Sequence, residues 1–273
     1  MSRFVLDLAA LTDWRSRAVL WRNAQVYLRN WRTAFFPPAL EPLLFFVAFG
    51  LGLGSYVGAL EYAGREVSYA TWVAPGLLTY TAFTTAFYEG LYSTYVRMFY
   101  QKTFDGILAT QVDMRHIVWG EVLWCGLRGM MNAVVVSLVL VLFQAFGVVE
   151  VDLWALVALA PLTFVVGWSF GAFALVFTAI VPSIDHMNYP VFVIGVPLSL
   201  LSDTYFPVPT ENPIVHALLV LNPVYHFASA ARALLLGGPI APPLLGLLAA
   251  TVISVVVMIT LAHRLMHRRV LGE

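Results

Sequence analysis

Three kinds of residue are scarce in this sequence. Asp, Glu, Lys and Arg make up only 11% of 273 residues, lysine occurs once as Lys102, and cysteine occurs once as Cys125. So little charge excludes the surface of an ordinary soluble domain. A single cysteine excludes an intramolecular disulfide framework and a cysteine-based zinc site. Fifteen cations balance fifteen anions, so there is no basic excess for nucleic acid and no acidic solvated tail. Also missing is Gly-x-x-x-x-Gly-Lys-Ser/Thr: the lone lysine is preceded by Gln101, so the chain has no phosphate-cradling loop of its own. The first 33 residues carry six Arg and no unbroken apolar run, unlike a cleaved leader, and the mature chain is expected to start at Met1.

What is abundant is hydrophobicity, at 60% of residues and a mean hydropathy of +0.83. An all-α integral membrane protein follows. A spanning helix needs about 20 mostly apolar residues. Stretches of that kind predict six spans, at 37–58, 72–93, 120–146, 153–181, 188–202 and 241–262. A seventh stretch, between Glu211 and Arg232, is interrupted by Asn212-Pro213 and Asn222-Pro223 and is expected to be re-entrant or interfacial. Arg and Lys near short loops stay cytoplasmic. Arg3, Arg15, Arg17, Arg22, Arg29 and Arg32 precede span one, Arg97, Lys102 and Arg115 follow span two, and Arg264, Arg268 and Arg269 follow span six. Only Arg65 and Arg232 fall in the opposite loops, so both termini are expected in the cytoplasm.

The chain shows no internal repeat and is treated as one domain over 1–273, with a cytoplasmic amphipathic segment at 1–33, a cytoplasmic loop at 94–118 and an extracytoplasmic re-entrant region at 203–240. On a helical wheel, Arg15, Arg22 and Arg29 form one stripe. Leu20, Trp21, Ala24, Tyr27, Leu28 and Trp31 form another, with Arg17 intruding. Such a helix lies in the interface as an anchor, or grips a partner subunit.

Few motifs carry chemistry. Gly167-Trp168-Ser169-Phe170-Gly171 matches a serine-nucleophile pattern, with His186, His216 and His226 as nominal bases. The same two glycines give the Gly-x-x-x-Gly spacing of close helix packing, which is the preferred reading, and Gly50 and Gly54 repeat it. His263 and His267 share a helical face among arginines with no third ligand, so no metal site is assigned. Ionisable groups inside spans are costly and point to function or to inter-helix pairs. Glu41, Glu89, Glu121 and Arg128 qualify, with the carboxylates in the inner half of the bilayer and Arg128 about 10–14 Å beyond that boundary. They would form an inter-helix ion cluster or a polar entrance for an anionic or hydroxylated headgroup.

Residues 102–121 read Lys-Thr-Phe-Asp-Gly-Ile-Leu-Ala-Thr-Gln-Val-Asp-Met-Arg-His-Ile-Val-Trp-Gly-Glu. This resembles the cytoplasmic loop of type-2 ABC exporter permeases, closest to the nodulation-factor and lipo-oligosaccharide branch, with Gln111 where the pattern has proline. A second stretch, Tyr205-Phe206-Pro207, Asn212-Pro213, Leu221-Asn222-Pro223-Val224-Tyr225-His226 and Arg232, is similar to the re-entrant element before the last span of those permeases. The resemblance implies a homodimer of this chain in the inner (plasma) membrane with two ABC ATPase subunits, which bind the ATP and Mg. This chain would be no enzyme and carry no cofactor. The substrate would be a glycolipid or other amphiphile, with a hydrophobic drug as the alternative. An intramembrane serine protease and a proton-coupled carrier are the rivals from other classes. By that resemblance, Thr103, Phe104, Asp105, Gly106, Ile107, Leu108, Asp113 and Arg115 couple to the ATPase, with Phe104, Ile107 and Leu108 as apolar anchors. Glu41, Glu89, Glu121 and Arg128 are candidates for the substrate path. Tyr205, Phe206, Pro207, Pro223, Tyr225, His226 and Arg232 are the expected exit gate.

Overall fold

The computed structural model describes residues 7–32, 40–41, 43–209 and 211–272. Residues 37–39 and 42 of the expected first span therefore lie outside the described residues. In chain order the elements are α1 (Trp14–Arg29), α2 (Leu43–Val57), a hairpin of β1 (Ala59–Tyr62) and β2 (Arg65–Ser68), and α3 (Tyr69–Tyr88). There follow the short α4 (Thr103–Leu108), then α5 (Met114–Ala145), α6 (Leu153–Ile180) and α7 (190–200). The last three are α8 (Pro213–Leu221), α9 (Pro223–Leu236) and α10 (Ala241–Leu271).

Among the described residues three helices, α5, α6 and α10, are long and apolar enough to cross a membrane, or up to four if the bent pair α8 and α9 counts as one. Their enclosure differs. The most apolar window of α6 is 67% buried and that of α10 only 17%, so α6 is central and α10 presents Leu245, Val252 and Val256 outward. The most extensive helix contact is α5 against α6, and α3 packs on both. Small residues permit it. A Cβ on Gly171 would lie 2.3 Å from the Cβ of Cys125, and one on Gly167 would lie 2.9 Å from the Cys125 carbonyl. Gly167 and Gly171 thus bring two helix backbones together.

Helix ends follow local chemistry. Ser68 caps α3 through the Thr71 amide, and Asp152 caps α6 through the Trp154 amide. Asn212-Pro213 and Asn222-Pro223 each place a capping Asn before a Pro in the first turn. The Asn222 amide also donates to the Leu198 and Leu201 carbonyls at 2.7 Å each, tying the break to the end of α7. The result is an 82° bend between α8 and α9. At the other end of α6, Arg269 of α10 donates to the Thr178 and Ala179 carbonyls, as a cation placed at a helix C-terminus should.

Two features were not part of the sequence expectation. The all-α architecture carries a two-stranded hairpin, turned at Ala63-Gly64, where both residues have positive φ. Arg65 reaches from it to the Leu236 carbonyl at the end of α9. The second concerns α1. Its buried stripe is Ser16, Val19, Asn23 and Tyr27, laid on α5, while Trp21, Leu28 and Trp31 stay exposed. The contact is close enough that a Cβ on Gly120 would lie 2.5 Å from the Cβ of Val19.

Gly171→Val should force α5 from α6 and cost about 1–3 kcal/mol, as overpacking does. A fall in the thermal unfolding midpoint of the solubilised protein checks this, with Gly106→Ala, whose added methyl meets nothing within 4 Å, expected to leave the midpoint in place.

Candidate functional site: a buried ion cluster beside two clefts

Three elements supply the site. On α5, Glu121, Trp124 and Arg128 recur at i, i+3 and i+7 and share one face. On α1, Asn23 and Tyr27 are one turn apart. The third element is the continuation of α3, where two π-helical stretches, Glu89–Ser93 and Val96–Tyr100, replace regular turns. Eight residues of α-helix would leave Glu89 and Arg97 about 80° apart around the axis. The wider turns reduce that angle and bring both side chains to one side, a known use of π-bulges.

The cluster is continuous. Arg97 donates through Nη1 to Glu89 Oε1 at 2.8 Å and through Nη2 to Glu121 Oε2 at 2.5 Å and Thr94 Oγ1 at 3.0 Å. Glu121 also accepts from Asn23 Nδ2 at 2.9 Å and from Thr94 Oγ1 at 3.0 Å. Glu89 Oε1 accepts from Trp124 Nε1 at 2.8 Å, and Glu89 Oε2 faces Arg128 Nε at 3.5 Å. The Arg128 guanidinium stacks 4.2 Å from the centre of the Tyr27 ring. Glu121 is 1% exposed and Arg128 7%. Burying a lone charge here would cost several kcal/mol, so two carboxylates and two guanidinium groups balance each other.

Two clefts meet at the cluster. One, of about 420 Å³, is lined by Glu41, Tyr80, Thr84, Tyr88 and Glu89 among others, and the second, of about 540 Å³, by Arg22, Tyr27, Gln101 and Trp124. Glu89, Tyr92, Ser93 and Arg128 border both. Of the expected path residues, Glu89, Glu121 and Arg128 come together, whereas Glu41 is exposed on the wall of the first cleft and outside the ion network. Arg97 was counted in sequence only as a loop cation. Its signal was an arginine eight residues after a buried glutamate, legible only once the wide turns are known.

The remaining expected residues are placed as follows. Phe104, expected as an anchor for a partner chain, is 0% exposed and belongs to the chain's own core with Val19, Met114, Ile117 and Met266. Its ring is the largest apolar group of α4, and burial against α5 and α10 uses it up. Ile107 and Leu108 are half-buried against the same core, while Asp105, Gly106 and Asp113 are exposed. Thr103 accepts from Arg22, Asp113 caps α5 in a reciprocal pair with His116, and Arg115 bridges Asp7 and Asp113. On the other side, Tyr205 is buried against Phe49 and Tyr80, and its carbonyl accepts from Tyr69. Arg232 bonds Asp203 through side chain and backbone and stacks on Trp72, so it locks the 203–208 turn to α3 and α9. Phe206 and Pro207 are exposed, and Pro223, Tyr225 and His226 are half-buried.

Ser169 and His226 border one apolar cleft of about 770 Å³. His226 Nε2 is engaged by the Val220 carbonyl at 2.7 Å, and Ser169 Oγ has no hydrogen-bond partner among the described residues. No nucleophile–base pair is made.

The ABC-2 type transporter family model matches residues 16–236. The chain belongs to that family. It is similar to Nodulation protein J of Rhizobium meliloti (strain 1021), 27% identical over 86% of this chain and 87% of the relative, and to Nodulation protein J of Rhizobium leguminosarum bv. viciae, 26% identical over 85% and 83%. It is also similar to the inner membrane transport permease YadH of Escherichia coli (strain K12), 26% identical over 80% and 82%. The ABC-2 chain is therefore a multi-pass membrane permease subunit, and the match spans the cluster, α4 and the bent pair alike. As a transport subunit it is not itself an enzyme, which leaves Gly167 and Gly171 as packing residues.

Glu121→Leu should cost about 3–5 kcal/mol by leaving Arg97 buried with one fewer carboxylate. Adding Arg97→Met should restore part of that, because Glu89 and Arg128 then remain as a balanced pair. Unfolding of the single and double variants in mixed micelles checks the sign of the coupling.

Proposed function

We propose that two copies of this chain and two separate ATPase subunits form an exporter in the inner membrane, moving a lipid-linked oligosaccharide or a similar amphiphile out of the cytoplasm or inner leaflet. The chain crosses six times, along the apolar stretches 37–58, 72–93, 120–146, 153–181, 188–202 and 241–262, with both termini cytoplasmic. Twelve cations on the side of the termini support that orientation. The bent pair fits a re-entrant element on the outer side, since the 82° bend at Asn222-Pro223 turns its second arm away from the line of the first. Likeness to Nodulation protein J over more than four fifths of the chain supports the branch that the resemblance of residues 102–121 implies, and the substrate class is read from that branch.

The observation that carries the proposal is the mounting of α4. Phe104 roots it in a core shared with α1, α5 and α10, and Asp105 and Gly106 on the helix and Ala109, Thr110 and Gln111 in the turn after it are exposed. A short helix rooted on the transmembrane body and presenting small and acidic residues suits docking on a soluble motor that carries the ATP and Mg. Closure of the motors then tilts α4 and α5 as one and changes the clefts at Glu89 and Arg128. Amphiphile leaves past Tyr205, Phe206, Pro207, Pro223, Tyr225, His226 and Arg232. Efflux of a hydrophobic drug is the second reading, favoured by the apolar cleft between α6, α9 and α10.

A tagged chain purified in mild detergent should retain a P-loop ATPase whose turnover responds to glycolipid. Asp105→Arg should release that ATPase while the unfolding midpoint stays unchanged, and Ser169→Ala should have no effect on either. Phe104→Arg is unsuited, because it disrupts the core. Transport by the chain with no ATPase bound would contradict the proposal.

A further inference from the structure

We infer that the meeting point of the two clefts is a binding site for the hydroxyl groups of an uncharged sugar headgroup, held by Arg128, Glu89 and Tyr27. This rests on the exporter reading above and narrows its substrate.

Two buried polar atoms stand there, Arg128 Nη1 and Tyr27 Oη, close enough to interact with each other and without another hydrogen-bond partner among the described residues. Arg128 and Tyr27 are both more than nine-tenths buried. Buried groups of this kind are almost always paired, and spare hydrogen-bonding capacity calls for an explanation. Arg128 borders both clefts and Tyr27 one of them. Opposite stands Glu89, whose Oε2 makes only the long 3.5 Å contact with Arg128 Nε. The site therefore offers donors at Arg128 and Tyr27 and an acceptor at Glu89, where the two clefts meet.

Charge decides what fits. Glu89 and Glu121 cancel Arg97 and Arg128, and the further charges on the cleft walls, Arg22 on one side and Glu41 on the other, are again opposite. A phosphate or sulfate at Arg128 would lie beside the Glu89 carboxylate in a medium of low dielectric, where like charges repel strongly. A hydroxyl donates to a carboxylate and accepts from a guanidinium at once, so neighbouring hydroxyls on a ring match the pattern without net charge. Tyr88 and Tyr92 on one wall and Trp124 on the other supply aromatic surface, and volumes of about 420 and 540 Å³ are in the range of small-molecule sites.

The test compares two photoreactive amphiphiles with the same dodecyl chain, one a maltoside and one a phosphate, on the full chain in lipid nanodiscs. The maltoside should label peptides of 80–92 and 124–132. Labelling should fall about ten-fold in Arg128→Lys and about five-fold in Tyr27→Phe, the losses expected for hydrogen bonds to charged and neutral groups. Thermal midpoints should match the wild type. Where Arg128→Lys is unstable, Tyr27→Phe, which keeps the ring and removes only the hydroxyl, decides alone. Maltoside labelling unchanged in Tyr27→Phe, or stronger labelling of these peptides by the dodecyl phosphate, would overturn the inference. Such a failure with the ATPase still bound leaves the exporter reading standing, whereas loss of the ATPase from the wild-type chain removes the exporter reading whatever the labelling result.

Discussion

Four charges buried among apolar helices constrain this protein more than any other feature. An isolated guanidinium or carboxylate at that depth is expensive, and each of Glu89, Arg97, Glu121 and Arg128 is tolerable only because the others are at hand. The pairs cross elements. Glu89 and Arg97 sit on the continuation of α3, Glu121 and Arg128 on α5, and Asn23 and Tyr27 reach in from α1. Separating any two of these elements strands a charge, so α1, the end of α3 and the first half of α5 behave as one body. The short helix α4 hangs from that body through Phe104.

Close packing makes the cluster geometrically feasible. Gly167 and Gly171 draw α6 onto α5 near Cys125, and Gly120 admits α1 against α5 one residue before Glu121. The wide turns after Tyr88 then rotate Glu89 and Arg97 into register with the α5 face. On the opposite side a second set of ties, Arg232 to Asp203 and Trp72, Asn222 to α7 and Arg65 to the end of α9, holds the bent pair in place. The molecule is thus braced at both ends, and the clefts open between the braces.

Much of this was legible in the residues. The apolar stretches marked α5, α6 and the start of α10, and the two Asn-Pro pairs marked the break that becomes an 82° bend. Glu89, Glu121 and Arg128 stood out because charge inside apolar runs is costly. Other features were not legible, for physical reasons. Arg97 looked like a loop cation because a sequence does not announce π-helical turns. The buried stripe of α1 mixes Ser16 and Asn23 with Val19 and Tyr27, so a hydrophobicity wheel does not single it out as the face that meets α5. Phe104 was assigned to a partner because sequence alone does not say which surface an apolar side chain on a short helix will meet. The hairpin at Ala63-Gly64 has only four residues per strand, and neither Ala59–Tyr62 nor Arg65–Ser68 alternates apolar with polar side chains.

The buried cluster makes α1 and the continuation of α3 move together when the transporter works. Cys125 is buried and is the chain's single cysteine, so labels at introduced cysteines report on chosen positions. The decisive measurement is the spin-label distance between Val26 on α1 and Tyr100 at the end of α3, both exposed, in the full transporter without nucleotide and with ATP trapped. A cluster that holds gives one unchanged distance distribution in the two states, while a distance across the clefts, from Val26 to Glu41, shifts. A Val26–Tyr100 distance that changes with nucleotide would contradict this joint motion.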